Sequence, residues 1–177
     1  FGGLNKIEFG GPQHISVFPV TMKSERLKSL EGCLLLFFTG LTRNASDVAA
    51  EQIRLTPEKR KELQAMKSMV DEAIVIIEKE NNLDDFGKLL HESWQIKRQL
   101  TSQITNKRID EIYEAGRQAG ALGGKLLGAG SGGFMLFYVK PELQSAVKEK
   151  LKDLLCVPVK FENIGSQVIY YGPSEVA

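Results

Sequence analysis

Cysteine and histidine are scarce in this chain, two of each in 177 residues. Cys33 sits in Cys-Leu-Leu-Leu-Phe-Phe and Cys156 beside Leu155 and Val157, so both read as buried free thiols, with a disulfide as the lesser alternative. His14 and His91 lie far apart and neither cysteine has a near-spaced partner, which excludes the usual zinc patterns. No metal site is expected. Net charge is almost as scarce: 23 Lys and Arg against 22 Asp and Glu leave +1. That removes the electrostatic footprint of a dedicated nucleic-acid binder. No apolar run approaches the ~20 residues needed to cross a bilayer; Cys33 to Phe38 suits a buried strand. Neither an initiator methionine nor a charged leader opens the chain at Phe1-Gly2-Gly3. The expectation is a cytoplasmic piece cut from something longer.

What remains is ordinary globular composition, with 42% hydrophobic and 25% charged residues, enough for one full core. Leu4 to Phe9 and His14 to Val20 alternate in polarity around Gly10-Gly11-Pro12, which predicts a β-hairpin. Lys23 to Leu30 predicts one polar helical turn, and Gly32 to Phe38 a central strand buried on both faces. A helix is expected from Ala45 to Val48 onward, with Ser46 as its N-cap and Asp47 a first-turn acid. The next has Thr56 as N-cap and Pro57 at its first position, carries Leu63, Met66, Val70 and Ile74 inward, and ends at Asn81-Asn82. A further helix carries Phe86, Leu90 and Trp94, with Trp94 a core anchor, and Asn106 caps another that ends at Gly120. Pro141 opens a last helix, and Val157 to Glu162 and Gln167 to Tyr171 read as short strands. Strand, several helices, a tight hairpin, helix and strand predict an α+β fold. The architecture expected is a ferredoxin-like split βαβ sandwich with extra helices in its first crossover, plus the N-terminal β-hairpin.

Two stretches could carry chemistry. Gly128-Ala129-Gly130-Ser131-Gly132-Gly133 packs four glycines into six residues, more than a tight hairpin needs, and suggests backbone N–H groups turned toward a ligand. The strand-like Phe134 to Val139 follows it. Dinucleotide loops and P-loops lead into a helix instead, and the Gly-Lys-Ser/Thr ending is missing. The second stretch, Thr39 to Asp47, joins the end of a buried strand to a helix N-terminus. Thr42 and Arg43 there supply a hydroxyl and a guanidinium, a natural pair for a phosphate or carboxylate. His14 and His91 have no visible nucleophile partner and read as surface or packing residues.

The run from Gly123 to Phe134 resembles the third motif of the GHMP kinases, small-molecule kinases named for galactose, homoserine, mevalonate and phosphomevalonate. That motif leads through a Gly-Ala-Lys-like segment into Gly-Ala-Gly-x-Gly-Gly and then a strand. Phe37 to Val48, Asn106 to Tyr113 and Phe1 to Asn5 resemble the sugar branch of the family. The resemblance implies residues 21–177 as a C-terminal domain and residues 1–20 as a strand or hairpin remnant of the N-terminal domain. It implies Mg2+-dependent transfer of the ATP γ-phosphoryl group to a sugar or sugar-phosphate hydroxyl. The family's Pro-x-x-x-Gly-Leu-Ser-Ser motif and its proposed catalytic aspartate would lie ahead of Phe1, so ATP and Mg2+ would be bound mainly there. No catalytic residue is assigned to this chain, and alone it would be inactive. Gly128 to Gly133 would close on the nucleotide, while Thr42 and Arg43 would line the sugar-phosphate pocket. A homodimer is left open. The rival readings are a free-standing ferredoxin-like ligand-binding or regulatory module and, disfavoured by charge, a nucleic-acid-binding domain.

Overall fold

A computed structural model describes residues 1–11, 14–42, 45–79 and 82–171. Its contacts divide the chain into two compact units, Phe1–Thr21 with the segment from Lys160 onward, and Met22–Val159. In the first unit β1 (Asn5–Phe9) and β2 (Ile15–Pro19) form the expected antiparallel hairpin, with Ile7 opposite Val17. The strand expected at 167–171 is not formed. Its β-prone side chains are exposed, Val168 at 81% and Ile169 at 97%, and a strand without a partner ladder has nothing to pack against.

The second unit holds a four-stranded antiparallel sheet of β3 (Leu34–Phe38), β4 (Gly123–Leu126), β5 (Phe134–Tyr138) and β6 (Leu155–Val157), in the order β4-β5-β3-β6. The apolar run of β3 takes a central place, with Phe37 opposite Met135 on one side and Cys156 on the other. Before β3 stands α1 (Ser24–Gly32), a full helix where a single turn was expected. Four helices fill the crossover from β3 to β4: α2 (Ala45–Leu55), α3 (Arg60–Glu78), α4 (Asp84–Arg98) and α5 (Lys107–Gln118). Pro141–Leu143 forms a 3-10 turn leading into α6 (Gln144–Lys150). This is the ferredoxin-like sandwich with an elaborated first crossover.

Three local expectations are corrected. Thr56 does not cap α3; its hydroxyl donates to the Gln52 carbonyl at 2.9 Å and closes α2, and α3 begins at Arg60. Ser46 lies inside α2. The last strand is Leu155–Val157, earlier and shorter than read, because pairing with β3 ends at Leu36. Asn81 lies outside the described residues; Asn82 accepts from the Asp84 N–H at 3.1 Å and starts α4. Asn106 caps α5 as expected, accepting from the Ile109 N–H at 3.0 Å.

The core gathers Phe37, Trp94, Ile104, Ile109, Tyr113, Met135 and Phe137, each at most 1% exposed. Helix α4 crosses β4 at backbone contact, since a Cβ on Gly123 would stand 1.8 Å from the Gly87 carbonyl oxygen. That crossing seats the first residue of β4, the strand that leads into the glycine loop.

Candidate functional site

The loop between β4 and β5 is held on alternate residues. Ser131 N–H donates to the Ile104 carbonyl at 2.7 Å and Gly133 N–H to the Leu41 carbonyl at 2.9 Å. The N–H groups of Gly128, Ala129, Gly130 and Gly132 find no acceptor among the described residues. The glycines are required by contact as well as by conformation. A Cβ on Gly130 would lie 2.8 Å from Ile104 Cα at a φ of 132°, and one on Gly132 would lie 2.6 Å from the Leu41 oxygen. Ser131 holds a φ of 62°, a left-handed conformation that is costly for a side chain. Its surroundings impose that conformation: the buried hydroxyl donates to the Gln103 carbonyl, and its own carbonyl accepts from Asn106 Nδ2 at 3.3 Å.

The loop carbonyls are tied down in the same way. Gln52 Nε2 of α2 donates to Ala129 O at 2.8 Å. Lys97 Nζ of α4 donates to Gly128 O at 2.6 Å and to Leu126 O at 3.3 Å. Lys97 is 9% exposed, and burial, followed by the nearby charge of Lys125, pulls its pKa down to about 8. Sequence reading missed both residues. Lys97 lies three residues past Trp94 on the buried stripe of α4, a signal that was available; Gln52 offered none. On the far side, buried Thr39 clasps the loop end, its N–H and hydroxyl donating to Gly133 O at 2.9 and 2.8 Å.

These contacts bring the two sequence candidates together. Thr42, exposed, lines one cavity of about 380 Å³ with Phe38, Leu41 and the loop residues Gly128, Ala129, Gly130, Gly132 and Gly133. Ser131 is turned inward as the loop's anchor. Arg43 lies outside the described residues. Asp47 stands exposed in the first turn of α2, and His14 lies in the separate hairpin unit. His91 meets the Tyr113 hydroxyl through Nδ1 at 2.5 Å, away from the loop, and burial lowers its pKa. Trp94 is fully buried. Among the described residues no group of three or more His, Cys, Asp or Glu is placed to hold a metal.

A family model described as GHMP kinases C terminal matches residues 69–155. The chain belongs to the GHMP kinase family. The matched stretch runs from α3 to β6 and contains the glycine loop, whereas Thr39 to Thr42 precede it. The D-glycero-alpha-D-manno-heptose 7-phosphate kinase of Campylobacter jejuni is 36% identical over 145 residues, 80% of this chain and 42% of that protein. The crystal structure of L. major mevalonate kinase with R-mevalonate matches with a TM-score of 0.69 at 19% identity, over 86% of this chain and 45% of the other. A D-glycero-D-manno-heptose 1-phosphate kinase from Bacteriodes thetaiotaomicron matches at 0.62 and 22% identity, over 92% and 44%. At these identities the two structures speak to the fold. The chain spans less than half the length of each of these relatives.

Proposed function

We propose that this chain is the C-terminal part of an ATP-dependent sugar or sugar-phosphate kinase, one that transfers the γ-phosphoryl group of ATP to a hydroxyl of a heptose phosphate. The observation that carries this is the set of N–H groups at Gly128, Ala129, Gly130 and Gly132 that find no acceptor among the described residues, on the wall of a cavity that Thr42 shares. Phosphoryl transfer depends chiefly on positioning and on stabilising charge on the transferred group. N–H donors already fixed by a folded loop meet that charge without reorganising. The oxygen–phosphorus bond to ADP breaks, one to the sugar oxygen forms, and the hydroxyl proton leaves. Thr42 and Arg43 hold the acceptor's phosphate, the guanidinium pairing with two of its oxygens. The heptose phosphate is suggested by the Campylobacter relative, whose name states that substrate. ATP and Mg2+ are bound mainly by a part of the protein outside these residues, and the chain alone is inactive. A cytoplasmic site of action fits such substrates, and among the described residues no helix is long and apolar enough to cross a membrane.

Steady-state kinetics of the full-length protein test the reading, with ATP and heptose 7-phosphate varied in turn. Arg43→Ala is expected to raise the acceptor KM about tenfold or more while leaving that of ATP nearly unchanged. An equal rise in both, or in neither, removes Arg43 from the acceptor site.

A further inference from the structure

A second concavity lies on the flank of the sheet, between α3 and α4 at the edge strand β4. It encloses about 270 Å³ and is walled by Met66, Met69 and Ala73 from α3, Phe86 and Ser93 from α4, and Lys125 from β4. The α3 residues fall at i, i+3 and i+7, a single stripe turned toward α4, and two thioethers make that wall adaptable. Lys125 reaches the groove because successive strand residues face opposite ways: it shares the face of Gly123, the face α4 crosses at Gly87.

Among the described residues the ammonium group there has no counter-ion. Its hydrogen bond is a long one to Ser93 Oγ at 3.4 Å, and among the described residues no carboxylate pairs with it. The charged group facing it from α4 is another cation, Lys97, and the groove residues of α3 are uncharged. Burial accordingly lowers the pKa of Lys125. A half-buried cation with a second cation nearby and no anion is an unfavourable arrangement. An anionic ligand would relieve it.

We propose that this groove binds a small amphiphile, a medium-length apolar chain ending in one carboxylate, with the chain between α3 and α4 and the head group on Lys125 Nζ and Ser93 Oγ. The walls supply the apolar contact, and the lysine and hydroxyl supply two donors suited to carboxylate oxygens. The volume lies at the small end of ligand pockets, which run roughly 300–1,000 Å³, and so selects a short acyl chain over a long one. Nothing in this site depends on the kinase reading; no glycine-loop residue takes part.

Calorimetric titration of the 177-residue chain with octanoate, octanol and acetate separates chain from charge. Octanoate is expected to bind about tenfold or more tightly than either octanol or acetate. Raising the pH from about 7 to about 11, above a lysine's ordinary value, should weaken octanoate and leave octanol unchanged, since burial lowers the pKa of Lys125 from that value and its charge is then lost. Lys125→Met keeps the apolar length and should remove the preference for octanoate over octanol. Ala73→Trp fills the groove and should abolish the binding of both. The proposal fails if octanoate binds no better than octanol, if its preference survives Lys125→Met, if binding survives Ala73→Trp, or if octanoate does not bind. Should Lys125→Met not fold, the pH series on the unmodified chain decides alone.

Discussion

Lys97 is the residue whose chemistry is least like its surroundings. A lysine 9% exposed and hydrogen-bonded to two neutral carbonyls carries its charge at a cost, which is why its pKa falls to about 8. Between about pH 8 and the unfolded value near 10.5, the unfolded chain keeps a proton that the folded chain has released, so stability rises with pH across that window. Below pH 8 both states are charged and the penalty is fully felt. Lys125 shifts in the same direction, whereas Tyr113 and Tyr138, whose pKa values burial raises, lower stability at the alkaline end. A variant without the ammonium group separates the effect of Lys97 from these others. In urea denaturation from about pH 7 to about pH 9.5, the unmodified chain should gain on the order of 1–2 kcal/mol more than Lys97→Met. Equal slopes for the two would show that Lys97 keeps an ordinary pKa. A lysine in a helix ordinarily reads as solvated, and its place on the stripe beside Trp94 was the contrary signal. The inward turn of Ser131 had no such signal, because a serine among glycines looks the same whether its hydroxyl meets a ligand or a carbonyl.

Elements pack here by the absence of side chains as much as by their presence. The crossing of α4 over β4 is set by Gly87 and Gly123: a Cβ added on Gly123 would stand 1.8 Å from the Gly87 oxygen and 2.8 Å from the His91 nitrogen. Backbone atoms on both sides cannot yield as a flexible side chain would. Gly123→Ala is therefore expected to destabilise the fold by about 3 kcal/mol or more. Gly32→Ala, with nothing within 4 Å of its added Cβ, should change stability by less than about 0.5 kcal/mol. Chemical denaturation of the two variants measures both, and a small loss for Gly123→Ala would mean the crossing is looser than this geometry. The central pair of the sheet was legible in its apolar runs, β3 and β5, whereas β4, Gly-Gly-Lys-Leu, was legible only as the other arm of the hairpin across the glycine loop. Boundaries were less so. Thr56-Pro57 has the form of a helix start, yet the hydroxyl found a nearer carbonyl in the helix just ended. Residues 167–171 have β-prone side chains, but strand formation depends on a partner that local sequence does not specify. The joining of the glycine loop to the Thr39–Thr42 turn was likewise a tertiary fact, made by Thr39 and Leu41 with Gly133 through backbone groups that every residue possesses.

At the scale of the molecule, the buried cluster from Leu35 to Leu151 falls entirely within Met22–Val159, and the hairpin unit adds no residue to it. Folding stability should follow the cluster. A fragment covering residues 22–159 is therefore expected to melt in one cooperative transition, with far-UV circular dichroism per residue close to that of the 177-residue chain. Non-cooperative melting would show that the segment beyond Val159 belongs to the folding unit, and that the domain extends toward the end of the chain. The same material tests the division of labour proposed for the site. Loop, Thr42 turn and cavity all lie inside the fragment, so both proteins present the N–H groups of Gly128, Ala129, Gly130 and Gly132 in full. Correct positioning of one wall cannot substitute for the groups that hold ATP and the metal. Neither the fragment nor the 177-residue chain should release ADP above background when given ATP and heptose 7-phosphate. A coupled ADP assay that detects turnover by either folded protein would place the nucleotide site within these residues, and would overturn the reading of the glycine loop as one half of a shared site.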